Sequence, residues 1–219
     1  MLLLVFFFYL LTFFAEHPER TGEQAWPEFA TSSVWKRIAR WYFPATLHCS
    51  EEVVHANQYI FSSHPHGAWC IHHCLSVADA TSPSISSTFS LPTTRHDAAA
   101  GPLFYIPILR EFMLWMGCVS ADREVAHKVL NSGKSYWTVT GGEAEQLLAA
   151  PKTHIVYLKN RKGFIRLALQ HNVPIVPIYV FGETDTYHTS SFMLSLRQTL
   201  CKMTRVSMPL TWGRLLMPL

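Results

Sequence analysis

Hydrophobic and polar positions divide the chain into stretches with different rhythms. Residues 2–14, LLLVFFFYLLTFF, are apolar almost without a break. At 1.5 Å per residue this run is shorter than a bilayer core of roughly 30 Å. Only Met1 precedes it, and Ala15 leads straight into Glu16, His17 and Pro18, so it reads poorly as a signal peptide. An uncleaved anchor or one arm of a membrane hairpin fits better, with a buried core helix as the alternative. Residues 16–28 are polar, carry Pro18 and Pro27, and read as a linker. In SSVWKRIARWYFP (32–44), Val34, Ile38 and Trp41 share a helical face, with Lys36, Arg37 and Arg40 beside it. Such a helix either rests on a membrane surface or covers the core of its own domain.

From residue 57 onward, strand-like and helix-like runs alternate. QYIFSS (58–63), SYWTVT (135–140), THIVYL (153–158) and VPIVPIYVFG (173–182) predict strands. GAWCIHHCLSVADA (67–80) predicts a helix, GGEAEQLLAA (141–150) a glycine turn into a short helix, and RKGFIRLALQHN (161–172) an amphipathic helix. Phe164, Leu167, Ala168 and His171 fall on one side of that last helix. Strands apolar nearly throughout, alternating with helices, imply an α/β fold: a mostly parallel, buried sheet flanked by helices. The segment GPLFYIPILREFMLWMG (101–117) is apolar but broken by Pro102, Pro107, Arg110 and Glu111. Those breaks argue against a membrane span. It reads as the lining of a lipid tunnel, a segment lying on a bilayer, or a plain core helix. Two regions follow: a hydrophobic membrane segment and linker at 1–28, and one folded domain at 29–219.

Composition narrows the class. With 219 residues and 25.0 kDa there is room for one domain with a proper core. Charged residues are 15% and hydrophobic residues 49%, with mean hydropathy +0.12. Disorder and a solvated rod are excluded. The net charge of +3 is too small to imply nucleic-acid binding. Five cysteines (Cys49, Cys70, Cys74, Cys118 and Cys201) are too few and too scattered for a disulfide framework, which points to a reducing compartment.

The candidate chemistry gathers at predicted strand ends. His64-Pro65-His66-Gly67 stands where a strand hands over to a helix. That carboxyl edge is where open α/β sheets bind ligands. Pro65 restricts the backbone and Gly67 allows close approach. An imidazole there can take a proton from a hydroxyl and return it. Cys70, His72, His73 and Cys74 follow closely, but no second Cys/His pair completes a metal-ligand pattern, and no metal is expected. Gly117–Arg123 reads as a short strand and turn ending on a cation. Gly141-Gly142-Glu143-Ala144-Glu145 follows a strand in the same manner, with glycine N–H groups available to an anion and Glu145 placed to orient a histidine. Arg161, Lys162 and Arg166 open the next helix, where phosphates could dock.

Together these motifs resemble the diacylglycerol acyltransferase type 2 family, which includes monoacylglycerol acyltransferases and wax synthases. The resemblance rests on WKRIARWYFP (35–44), YIFSSHPHG (59–67), LREFMLWMGCVSADR (109–123), TGGEAEQL (140–147), LKNRKGFIRLALQHNVPIVPIYVFGETDTY (158–187) and WGRLLMP (212–218). These run in the family's order over most of the chain. The wider glycerolipid acyltransferase group carries His-x4-Asp. Here Trp69 stands five after His64 and Ile71 five after His66, so that aspartate is absent, as is usual in the type 2 family. The resemblance implies a glycerolipid-acyltransferase-like domain that moves an acyl group from acyl-CoA to a neutral lipid hydroxyl, diacylglycerol first among the acceptors. It implies His66 as base with His64 beside it, and Glu145 supporting the imidazolium. N–H groups near Gly67 or at Gly141–Gly142 would hold the oxyanion. Pro65 and Arg123 would contact substrate, and Arg161, Lys162 and Gly163 the coenzyme A phosphates. No cofactor or metal is implied beyond acyl-CoA as co-substrate. The expected setting is the endoplasmic reticulum membrane facing the cytosol, or a lipid droplet, with a homo-oligomer open. Glu143 departs from the small residue common in the family. The chain also stops short of the family's last segments, which reads as a C-terminal truncation. The alternatives are monoacylglycerol, fatty-alcohol or lysophospholipid acyl transfer, or an inactive truncated lipid-binding relative.

Overall fold

The alternating runs become a mixed α/β architecture in the computed structural model of the chain, which describes residues 2–15, 17–30, 32–48, 58–77, 81–82, 95–204, 207 and 209–213. In chain order the elements are α1 (Leu2–Ala15), α2 (Pro27–Ala30), α3 (Ser33–Tyr42), β1 (Ala45–Thr46), β2 (Ile60–His64), α4 (Ile71–Val77), β3 (Thr81–Ser82), β4 (Arg95–Ala99), α5 (Leu109–Trp115), β5 (Cys118–Ser120) and α6 (Arg123–Asn131). They continue with β6 (Ser135–Val139), α7 (Gly142–Gln146), α8 (Gly163–His171), β7 (Ile175–Tyr179), β8 (His188–Thr189), α9 (Leu194–Thr204) and β9 (Thr211–Trp212). Short 3-10 turns lie at Pro18–Arg20, Gly101–Tyr105 and Glu183–Asp185. The chain forms two compact units, Met1–Gln58 with Val77–Tyr136, and Tyr59–Ser76 with Trp137–Leu219. Cys49, residues 78–80 of the helix expected at 67–80, and residues 214–218 of the WGRLLMP stretch lie outside the described residues.

In the first unit β4 and β5 pair in parallel, Asp97 against Cys118 and Ala99 against Ser120. The apolar core gathers Ala30, Ala99, Phe104, Leu114, Met116 and Cys118, with Phe29, Trp35 and Phe112 packed against it. Segment 101–117 therefore supplies core through Phe104, Leu114 and Met116, while Tyr105, Ile106 and Ile108 stay exposed. Helix α3 faces two ways. Trp35 packs against the Phe29 ring at a tilt and edge-on to the Phe112 ring. Val34, Ile38 and Trp41 point outward, Trp41 at 81% exposure, so the face read from the sequence does not cover this unit's core.

The run at 2–14 folds as α1 and is held along one side. The Ile108 N–H donates to Tyr9 Oη at 2.9 Å, and the Tyr9 hydroxyl donates to Glu111. Arg110 donates to Thr12 Oγ1 at 3.2 Å and lies 4.5 Å over the Phe13 ring. Leu4, Phe6, Phe7, Phe8 and Leu11 remain exposed. Among the described residues no helix is long and apolar enough to cross a membrane.

In the second unit β2 pairs in parallel with β7, in register from Ile60↔Ile175 to His64↔Tyr179. The strand order there is β6-β2-β7. Strand β2 is buried along its whole length, so its residues 60–64 meet neighbours on both faces. Helix α8 buries Leu167 and Ala168. It ends on Asn172, in the left-handed region at φ 52°, and the Val173 N–H returns to the Ala168 carbonyl at 3.0 Å. That stop feeds the chain directly into β7.

One sequence expectation is corrected, and one strand was not expected at all. THIVYL (153–158) is not a strand: its side chains from His154 to Leu158 are exposed, and its backbone N–H at Tyr157 donates to a buried carboxylate rather than to a neighbouring strand. Strand β4, RHDAA, has a pattern that no apolar search finds. Its charges are buried as a pair, with Arg95 Nε 2.7 Å from Asp97 Oδ1, and its His96 Nδ1–H donates to the Gly117 carbonyl at 2.7 Å.

Candidate active site

Apart from Arg123, the residues described below lie within the second unit. Alternation along β2 sends Ser62 and His64 to one face and Ser63 to the other. The chain then turns at Pro65–Cys70, through Gly67 at φ +65°, and enters α4. The His64–Pro65 peptide is cis.

His64 is buried and held at both ring nitrogens. Its Nδ1 is 3.5 Å from Glu145 Oε2. Its Nε2 meets the Thr140 hydroxyl and lies 3.5 Å from Ser62 Oγ, and those two hydroxyls bond each other at 3.0 Å. His66 is only partly buried. Its ring Nδ1 lies 3.1 Å from the Gly67 carbonyl oxygen. A carbonyl can only accept, so Nδ1 carries the proton and Nε2 keeps its lone pair. Among the described residues His66 Nε2 makes no hydrogen bond. Burial holds the His66 pKa below the ordinary imidazole value and the nearby His72 adds to this; the Gly67 carbonyl, Glu145 and Glu183 oppose it. The ring is therefore neutral at neutral pH, the state a general base requires.

Glu145 is the centre of the arrangement, at 1% exposure. It accepts the His66 backbone N–H at 2.6 Å through Oε1 and the Tyr157 N–H at 2.7 Å through Oε2. Burial pushes its carboxyl up, but the His64 ring and these two backbone donors outweigh burial and hold it below the usual range. The carboxylate thus makes its direct contacts with the His64 ring and the His66 backbone N–H, while its charge favours the protonated form of the His66 imidazole.

The glycine pair of the expected anion site has a packing task. A Cβ at Gly141 would collide with the Glu145 carboxylate, and one at Gly142 would come 3.5 Å from Arg161 Nη2. Arg161 therefore lies against the 141–142 turn, with its guanidinium 5.6 Å over the Tyr157 ring. Lys162 is the N-cap of α8 and Gly163 its first residue; both are exposed. Pro65 is fully buried. Arg123 begins α6 in the other unit and is exposed.

Sequence reasoning missed several partners: Thr140 and Ser62 at His64, Tyr157 at Glu145, and above all Glu183. Glu183 follows β7 as Glu145 follows β6, and that shared position at a strand's carboxyl end was the available signal. His72, weighed as a metal ligand, is bound instead to Ser63 and Glu183, and among the described residues no three His, Cys, Asp or Glu side chains gather as a metal site.

A diacylglycerol acyltransferase family model matches residues 1–218. Acyl-CoA wax alcohol acyltransferase 2 of Homo sapiens is 35% identical over 164 residues, 73% of this chain and 48% of that protein. Diacylglycerol O-acyltransferase 2B of Umbelopsis ramanniana is 33% identical over 210 residues, 92% of this chain and 59% of that protein. Diacylglycerol O-acyltransferase 2 of Homo sapiens is 35% identical over 192 residues, 85% of this chain and 48% of that protein. The chain spans about half the length of the curated relatives it matches. No solved structure matches it. With the family model covering the HPHG turn, the glycine–glutamate turn and α8 alike, the chain belongs to the diacylglycerol acyltransferase family.

Proposed function

We propose that this protein transfers an acyl group from acyl-CoA to the hydroxyl of a neutral lipid, with diacylglycerol as the first acceptor and His66 as the general base. The observation that carries this reading is the His66 imidazole, whose Nδ1–H is fixed on the Gly67 carbonyl while Nε2 is left unpaired among the described residues. In the reaction, Nε2 takes the acceptor's hydroxyl proton and the oxygen attacks the thioester carbonyl. The tetrahedral intermediate collapses, the carbon–sulfur bond breaks, and the coenzyme A sulfur leaves with the proton from His66. His64 and Glu145 act as positioning residues: the Glu145 carboxylate fixes the backbone of the base, and His64 holds that carboxylate. Arg161, with Lys162 and Gly163 at the start of α8, forms the cationic end suited to coenzyme A phosphates. The exposed apolar sides of α1 and α3, with Lys36, Arg37 and Arg40 on the latter, favour work at a lipid surface such as the endoplasmic reticulum membrane, where both substrates partition. Relatives named for diacylglycerol, 2-acylglycerol and wax alcohol support a neutral acceptor.

The test supplies labelled long-chain acyl-CoA to membranes expressing the chain, with diacylglycerol, monoacylglycerol, fatty alcohol or lysophosphatidate in turn. Labelled ester from a neutral acceptor, with diacylglycerol preferred, is the expected result. Product from lysophosphatidate alone, or none from folded membrane-bound chain, overturns the reading.

A further inference from the structure

Behind the HPHG turn lies a second histidine–carboxylate pair, which the proposed mechanism does not use. Glu183, at 3% exposure, sits in the 3-10 turn after β7. Its Oε1 accepts the Ile71 N–H at 2.6 Å and its Oε2 the His72 N–H at 3.1 Å. Oε2 also lies 3.2 Å from His72 Nδ1. On the far side of that ring, His72 Nε2 is 2.9 Å from Ser63 Oγ, which accepts the Trp137 indole N–H at 3.0 Å. The sequence Ser63–His72–Glu183 has the order of a nucleophile triad. Ser63 is fully buried, however, and its oxygen already takes the indole N–H, so no substrate carbonyl reaches it.

The pair faces the turn instead. A Cβ at Gly67 would stand 2.7 Å from both Cγ and Oε1 of Glu183, so the carboxylate side chain is packed directly against Gly67. Gly67 is the residue whose carbonyl fixes the His66 tautomer. The chain from Gly67 to His72 thus wraps Glu183, touching it at the glycine and donating to it at α4. We propose that Glu183, held by His72, is a positioning residue that fixes the Gly67 carbonyl and through it keeps the His66 proton on Nδ1. The proposal rests on His66 being the base. An amide in place of the carboxylate offers one oxygen to two buried backbone N–H groups, a shorter carboxylate draws back from Gly67, and either change relaxes the lock on His66.

The charged groups bearing on His66 are Glu145, Glu183 and His72. Those facing His72 are Glu183 and His66, with the Cys70 sulfur 3.8 Å from Nε2. Glu183 and His72 act on His66 with opposite sign, the carboxylate favouring its protonation and the second imidazole opposing it. Removing each should therefore move His66 in opposite directions, which a general loosening of the fold would not do.

The experiment titrates imidazole-15N-histidine-labelled full chain in lipid nanodiscs by long-range 1H–15N spectra, for wild type, Glu183→Gln, Glu183→Asp and His72→Gln. Wild-type His66 is expected as the Nδ1–H tautomer. In Glu183→Gln that tautomer gives way to a mixture and the titration falls to lower pH. In His72→Gln the titration rises. Glu183→Asp retains the charge but draws it back from Gly67, so the titration stays near wild type while the tautomer mixes; it serves as the readout if the glutamine variant does not fold. Acyl transfer measured in parallel should lose kcat on the order of tenfold in Glu183→Gln with KM for acyl-CoA unchanged. A wild-type tautomer in both Glu183 variants overturns the proposal, as do shifts of the same sign in Glu183→Gln and His72→Gln. Because the spectra need no turnover, absence of acyl transfer by the wild-type chain would count against the proposed function alone.

Discussion

His64 and His66 are two residues apart and chemically identical, yet the fold treats them differently. His64 ends a buried strand and has a partner at each ring nitrogen, a carboxylate on one side and hydroxyls on the other. His66 lies on the turn, gives its Nδ1–H to the next carbonyl, and keeps Nε2 unpaired among the described residues. A nitrogen already in a hydrogen-bond network cannot pick up a substrate proton without breaking that network. An unpaired nitrogen on a ring held neutral can. The difference teaches that in a two-histidine motif the strand decides the roles: the last strand residue becomes scaffold, and the first residue free of the ladder becomes the base.

The strongest way to break this contrast is to exchange the losses. His66→Ala should lower kcat/KM by about 10²–10⁴-fold while thermal unfolding stays close to wild type, checked by acyl transfer and calorimetry on the same preparation. His64→Ala should instead destabilise first, by about 1–3 kcal/mol, because Glu145 is left buried without its ring partner. A His64 variant of normal melting temperature would contradict that assignment.

Glu145 sharpens the comparison because it serves both residues. Glu145→Gln offers one oxygen and one NH2 to two backbone donors, so one N–H must face another N–H. A loss of about 1–3 kcal/mol is expected in denaturant titrations. Acid should imitate this substitution. The folded-state pKa of Glu145 is depressed, so its stabilisation is complete above the ordinary carboxylate range and disappears as pH falls through the folded value. Urea unfolding at stepwise lower pH should show that loss in wild type and a flatter profile in Glu145→Gln.

A milder effect separates the two histidines by titration. Burial lowers the His66 pKa, so the acid limb of kcat/KM should fall below the ordinary imidazole value of about 6.5. An acid limb above that value would contradict a desolvated base. The smallest change should come from Arg161→Ala, which leaves both histidines in place. It should raise KM for acyl-CoA with little change in kcat, and more weakly at high salt, where a phosphate contact is already screened.

The contrast also marks how far the sequence could be read. Strands at 60–64, 135–139 and 175–179 were legible because their apolar residues and flanking turns leave few alternatives. Residues 153–158 have the same apolar look, but their backbone closes over Glu145 instead of joining a ladder. Strand β4 was illegible for the opposite reason: Arg95 and Asp97 look solvent-facing until each is seen to neutralise the other in a buried strand. At the site, His64, His66 and Glu145 stood out by residue type and place. Which histidine receives the carboxylate did not, since that depends on ring orientation. Glu183 escaped notice because its backbone partner at Ile71 is 112 residues away, a pairing that only the parallel register of β2 and β7 creates.

The most direct test of the division between the two histidines is acyl transfer from labelled acyl-CoA to diacylglycerol by membranes carrying wild type, His66→Ala or His64→Ala. Each rate would be normalised to folded chain. A base at His66 predicts activity abolished in His66→Ala and partly retained per folded molecule in His64→Ala. Retained turnover in folded His66→Ala, with turnover abolished in folded His64→Ala, would contradict it.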